Sequence, residues 1–320
     1  MYKLKFRTRI MILHSENIKG VMMRFFKCFF LICCFFLICL SQTPRAAENI
    51  DVDLVRLQTE DGVRLTGILR QPRVARAKAC VVLIHGYSGN FYSGIMDFLP
   101  EALTDRGFAT LALNMRDHDR GPKKNRFEEN RYDIALAVDK MALLGYHSIF
   151  LYGHSMGTNR VLYYMATTQD PRIKGILLTG PPGNLFEWNI SMFGSDTANS
   201  VLRQAQDLVA KGKGNQWMLI NLGPLGKALY TAYHVVSLRG PKTVSDPYQN
   251  IPRIFQPILV VHGLADRLAN PDVADRLRNS ATPKTNVTVV KIPGANHRFS
   301  NHQEKLVSVV TRWMTEHLNH

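Results

Sequence analysis

The five residues Gly153-His154-Ser155-Met156-Gly157 carry the clearest chemical signal in the chain. A serine hydroxyl is a weak nucleophile. It attacks a carbonyl carbon only when a neighbouring base takes its proton. It must also project from the backbone, and glycines on either side leave room for the tight strand-to-helix turn that projects it. Residues 148–152, SIFLY, read as a short buried strand, and residues 156–168 have helical spacing. Ser155 therefore falls at a strand–turn–helix junction and is the candidate nucleophile for acyl-transfer chemistry.

The elements around that junction repeat one grammar. Residues 51–58 and 63–70 read as a hairpin closed at Glu60-Asp61-Gly62. Short apolar runs at 79–85, 108–114, 148–152 and 173–179 read as strands covered on both faces. Helical patterns at 95–105, 127–144 and 156–168 separate them. The alternation resumes with a strand at 257–262, a helix at 271–279, a strand at 286–292 and a closing helix at 302–317. Such βαβ order predicts an α/β fold, a mostly parallel, doubly wound sheet with helices on both faces. Residues 183–256 break the rhythm. They hold a helix over 197–210, apolar runs around 217–222 and 225–236, and no obvious strand, so they read as a helical cap insertion. The domain reading is an N-terminal extension over 1–47, a core made of 48–182 and 257–320, and the cap over 183–256.

With a nucleophile elbow in that context, the chain resembles the α/β-hydrolase superfamily, in particular its esterase- and lipase-like serine hydrolases, over about residues 50–318. The resemblance implies three further sites in fixed order. His85-Gly86-Tyr87, after the strand ACVVLIH, is similar to the family's oxyanion turn. The backbone N–H groups of Tyr87 and Met156 would then hold the negative oxygen of a tetrahedral intermediate. The acid should end the first strand after the cap, which implies Asp266. Because Pro271 stands five residues on, where the family often has four, Asp272 remains an alternative. The base should follow the last strand, which implies His297 in KIPGANH. His85 then serves the turn, His302 lies on the surface, His154 points away from the hydroxyl, and His118 is structural or at the rim. A Ser155–His297–Asp266 triad implies hydrolysis of a carboxylic ester through an acyl-enzyme, with no cofactor and no metal. Amide, peptide or thioester hydrolysis and acyl transfer use the same machinery. A non-catalytic binding protein on this scaffold is the reading from another class, and loss of a triad member would mark it.

Ligands of open α/β sheets bind outside the carboxyl ends of the strands. The cap would overhang that edge, and its Trp188, Phe193 and Trp217 are candidate substrate-binding residues, or else members of the cap's own core. The basic loop 116–126, with Arg116, Arg120, Lys123, Lys124 and Arg126, should reach the same edge. It either attracts an anionic substrate or forms a solvated rim.

The chain has 320 residues, 46% of them apolar, and a formal charge of +15. Eight of its cations precede residue 48, and the remainder carries +8. No Lys/Arg tract or nucleic-acid motif accompanies that charge, so nucleic acid is not an expected partner. Residues 28–40, CFFLICCFFLICL, follow Arg24 and Lys27. Thirteen apolar residues suit a signal-peptide core better than a spanning helix, which needs about 20. The expectation is an exported protein, periplasmic or secreted, with an uncleaved membrane anchor through 28–40 as the alternative. Four of the five cysteines lie in that segment, and Cys80 is expected as a small core residue. The expected partner is a small or lipid-like ester.

Overall fold

A computed structural model describes residues 49–318, apart from 74–76, 78, 222, 224–225 and 241–242. The signal or anchor segment at 28–40 lies outside the described residues. Within them, no helix is long and apolar enough to cross a membrane.

Eight strands form one sheet. They are β1 (Ile50–Gln58), β2 (Arg64–Pro72), β3 (Ala79–Ile84), β4 (Phe108–Leu113), β5 (Ile149–His154), β6 (Ile173–Thr179), β9 (Ile258–Gly263) and β10 (Val287–Ile292), in the order β1-β2-β4-β3-β5-β6-β9-β10. The β1–β2 hairpin is antiparallel, and β2 joins β4 antiparallel. Every other pairing is parallel. β1 is the edge, and its exposed Asp51, Asp53 and Arg56 discourage pairing with another chain.

The period of two along each strand divides the core. Cys80, Val82 and Ile84 of β3 face one side, with Ile149 and Leu151 of β5. There they meet Ile134 and Val138 of α2 (Asn130–Leu143), Val161 and Leu162 of α3 (Met156–Thr168) and Leu277 of α8 (Asp272–Ser280). Val81, Leu83, Phe150 and Tyr152 face the other side, against Leu99 and Leu103 of α1 (Leu99–Thr104) and Leu306, Val310 and Trp313 of α9 (Gln303–Leu318). Strands covered twice must be apolar throughout, and β3, β4, β5 and β9 are buried at every residue.

Residues 183–256 contain α4 (Leu185–Phe193), α5 (Ser195–Ala210), α6 (Ala232–Arg239) and α7 (Pro247–Asn250). Asn184 caps α4 by accepting from the N–H groups of Phe186 and Glu187, and Thr231 caps α6 by accepting from His234 N–H. The reading of this stretch as free of strands is corrected. β7 (Trp217–Asn221) and β8 (Lys227–Thr231) pair as an antiparallel hairpin. Met218 and Ile220 are buried while Trp217, Leu219 and Asn221 are exposed, an alternation of period two that five residues were too short to declare.

Candidate functional site

The strand β5 ends in the turn that carries Ser155. Its backbone stands at φ 53°, ψ −127°, a conformation L-residues rarely hold. Two neighbours explain why the turn must be glycine-flanked. A Cβ on Gly153 would come within 2.5 Å of the Gly157 carbonyl oxygen, and one on Gly157 within 2.3 Å of the Ile84 carbonyl oxygen. The Ser155 N–H donates to Thr179 O at 2.9 Å, tying the turn to β6. Met156 is the first residue of α3, so its N–H has no helical acceptor.

Across from this turn, His85-Gly86-Tyr87 leaves the end of β3. His85 is buried and fully engaged. Its Nε2 accepts from Met115 N–H at 3.1 Å, so Nδ1 carries the hydrogen and donates to Gly86 O at 2.7 Å. Burial, aided by the charge of Arg160, lowers its pKa to about 3 and keeps it neutral. His85 thus stabilises the turn.

Asp266 and His297 come from the loops after β9 and β10. His297 Nδ1 lies 2.7 Å from Asp266 Oδ2. The other carboxylate oxygen accepts from Leu268 N–H at 2.8 Å and Ala269 N–H at 2.9 Å. His262 Nε2, 3.2 Å away, donates to Oδ2 as well. Burial alone would raise the Asp266 carboxyl, but the hydrogen bonds from His262 and His297 outweigh it and hold it well below the usual carboxylate range. Asp272, the alternative acid, lies at the start of α8 with its side chain 80% exposed and near Lys291. The structure brings Asp266 to His297.

One cavity of about 260 Å³ gathers these parts. Ser155, Met156, Tyr87 and His297 border it. His154 borders it too. The ring of His154 is buried, its centroid 4.8 Å from that of His297, and its Nδ1 is 3.0 Å from Thr179 Oγ1. Burial, then the charge of His297, keeps it neutral far below the ordinary histidine range. His118 and His302 are absent from the cavity wall and bond Met115 O and Ser300 O.

Of the three cap residues, Trp188 borders the cavity and donates from Nε1 to Leu268 O at 2.6 Å. Phe193 meets the Trp188 ring edge-on at 5.7 Å and borders a smaller adjoining pocket. Trp217 is on the outward face of β7, and its place in the substrate pocket is corrected. The strand alternation that buries Met218 turns it away. The basic loop is mostly spoken for. Arg116 pairs with Asp61, Glu129 and Asp133, and Lys123 donates to the carbonyls of Asp117, His118 and Asp119. Arg126 covers the Tyr233 ring. Arg120 alone of the five borders the cavity.

Three residues that the sequence did not single out belong here. His262 braces Asp266 from four residues upstream. Arg160, fully buried on α3, donates from Nη1 to His85 O at 3.0 Å and from Nη2 to Asp117 Oδ1 at 2.5 Å. It joins α3 to the His85-Gly86-Tyr87 turn and to the loop after β4. Arg239, at the end of α6, reaches the cavity from the cap. For Arg160, the one cation of residues 156–168, that charge was the available signal.

A family model for the α/β-hydrolase fold matches residues 80–196. Comparison with curated proteins gives no match. Among solved structures, ferulic acid-bound Est1E from Butyrivibrio proteoclasticus is similar, with 19% identity and a TM-score of 0.66 over 83% of this chain and 100% of that one. The hypothetical protein PA2218 from Pseudomonas aeruginosa has 16% identity and a TM-score of 0.67, over 85% and 95%. The esterase domain of a Rhodothermus marinus protein has 18% identity and a TM-score of 0.55, over 82% and 97%. At these identities the likeness is one of fold.

Proposed function

We propose that the chain is a serine hydrolase of the α/β-hydrolase superfamily, whose fold model matches residues 80–196, and that it cleaves a carboxylic ester through an acyl-enzyme. The observation that carries the reading is the 2.7 Å contact between His297 Nδ1 and Asp266 Oδ2, on a histidine that borders the same cavity as Ser155. The carboxylate is held ionised, so it accepts from Nδ1–H and leaves Nε2 unprotonated for the serine proton.

Ser155 Oγ would attack the ester carbonyl carbon while Nε2 takes the hydroxyl proton. The negative oxygen would be met by the N–H groups of Tyr87 and Met156. As the carbon–oxygen bond to the alcohol breaks, His297 returns its proton to that alcohol. Water, activated by the same nitrogen, would then release the acid from Ser155. Trp188 and Leu185 wall the cavity from the cap and exclude solvent from the acyl group. The apolar segment 28–40 supports action outside the cytoplasm.

Short p-nitrophenyl esters test the reading. Ser155→Ala and His297→Ala should each lower kcat by about 10⁴-fold or more. A folded variant of either kind that keeps wild-type turnover would refute it.

A further inference from the structure

Four cations border the cavity: Arg239, Arg120, Lys227 and Arg298. No aspartate or glutamate is among the described residues that line it. The four differ in place. Arg120, Lys227 and Arg298 are exposed, whereas Arg239 is 4% exposed.

A guanidinium cannot shed its charge in a protein. Burying one is costly unless an anion meets it. The fully buried Arg160 has Asp117, and the buried side chain of Arg116 has three carboxylates. Arg239 has no carboxylate partner among the described residues. It donates to Asn189 Oδ1, and its guanidinium lies 5.9 Å from the Tyr87 ring centre and 5.7 Å from that of Trp188. Its Nε is buried without a partner, as is that of Arg160. So is the hydroxyl of Ser88, which borders the same cavity. Tyr87 connects this cluster to the reaction: its side chain lies beneath Arg239 and accepts from Tyr230 O–H at 2.6 Å, while its backbone belongs to the oxyanion turn.

We propose that Arg239 receives an anionic oxygen group of the substrate, a carboxylate or a phosphate, so that the preferred ester carries a negative charge away from the bond that is cleaved. The planar guanidinium presents paired donors to such a group. The exposed Arg120, Lys227 and Arg298 draw the anion to the mouth. This specificity rests on the hydrolase reading above and adds the substrate class.

The test uses two esters of one leaving group and one chain length, mono-p-nitrophenyl glutarate and p-nitrophenyl valerate, which differ in the terminal carboxylate. Free glutarate and glycerol phosphate serve as competing anions. The wild type should favour the glutarate ester in kcat/KM by about tenfold or more, or be inhibited by glycerol phosphate if the site is built for phosphate, and added salt should weaken either effect. Arg239→Met should lower the preference, or the inhibition, at least about tenfold. Arg239→Lys should restore part of it. The wild-type measurements stand whether or not the variants fold. A rate ratio near one with no inhibition by either anion would overturn the proposal, as would a preference unchanged in folded Arg239→Met. If neither ester is turned over in a Ser155-dependent way, the hydrolase reading itself fails. Turnover of the valerate ester without any anion effect removes the specificity alone.

Discussion

Two buried arginines stand near the candidate nucleophile, Arg160 on the helix that follows it and Arg239 on the cavity it borders. Arg160, in the core, is met by Asp117 and the His85 carbonyl. Arg239, in the cap, is met by an amide oxygen, the Tyr230 hydroxyl and two aromatic faces. The region around Arg160 is closed. Burial alone would raise the Asp117 carboxyl, but the charge of Arg160 brings it down to about 2. The region around Arg239 is open and carries excess positive charge. The Nε of each is buried without a partner, so what differs is the countercharge: Arg160 has a carboxylate of its own chain, and Arg239 has none among the described residues. The contrast separates the part of the site that fixes geometry from the part that selects what enters.

Breaking the closed region should have the largest effect. Arg160→Met strands Asp117 in the core and should cost about 3–5 kcal/mol of stability, read from urea unfolding. The equivalent Arg239→Met change removes a charge that lacks a carboxylate. It should change stability by no more than about 1 kcal/mol. Equal costs for the two would erase the distinction.

Between these lies an effect of pH. Burial lowers the pKa of His85 to about 3 and of His234 to about 4, and it holds His154 well below the ordinary 6.5. The folded protein therefore refuses protons that the unfolded chain accepts. Stability from these histidines is complete above about pH 6.5 and declines as pH falls toward the folded values, at up to about 1.4 kcal/mol per pH unit for each. Unfolding free energies at pH 7 and pH 5 should show that decline. Replacing His234, on the cap side, with Phe should remove one histidine's share of the slope. A flat profile between pH 5 and 7 would contradict the buried neutral assignment.

The core was largely legible in the sequence, and the cap was not. Runs such as 79–85 and 148–152 suit strands covered on both faces, and 156–168 and 173–179 match the observed α3 and β6. Ser155 announced itself through the two glycines, whose absent side chains the turn requires. Asp266 and His297 lie 31 residues apart in sequence and were placed by resemblance to a superfamily. In the cap, five-residue strands joined by a glycine-containing turn carry too little periodicity to be separated from short helix, so the hairpin was missed and Trp217 was misplaced with it. Arg239 was hidden for a related reason. The pattern of α6 does not say which face meets the core and which meets the cavity, and hydrogen-bond partners come from distant segments.

The central claim is that Ser155 is an activated nucleophile. A fluorophosphonate reacts with such a hydroxyl, forming an oxygen–phosphorus bond as fluoride leaves, and mass spectrometry locates the adduct. One adduct on the peptide containing Ser155, absent from folded Ser155→Ala and much slower in His297→Ala, is the expected result. Folded wild-type protein that stays unlabelled, or labels equally without Ser155, would contradict it.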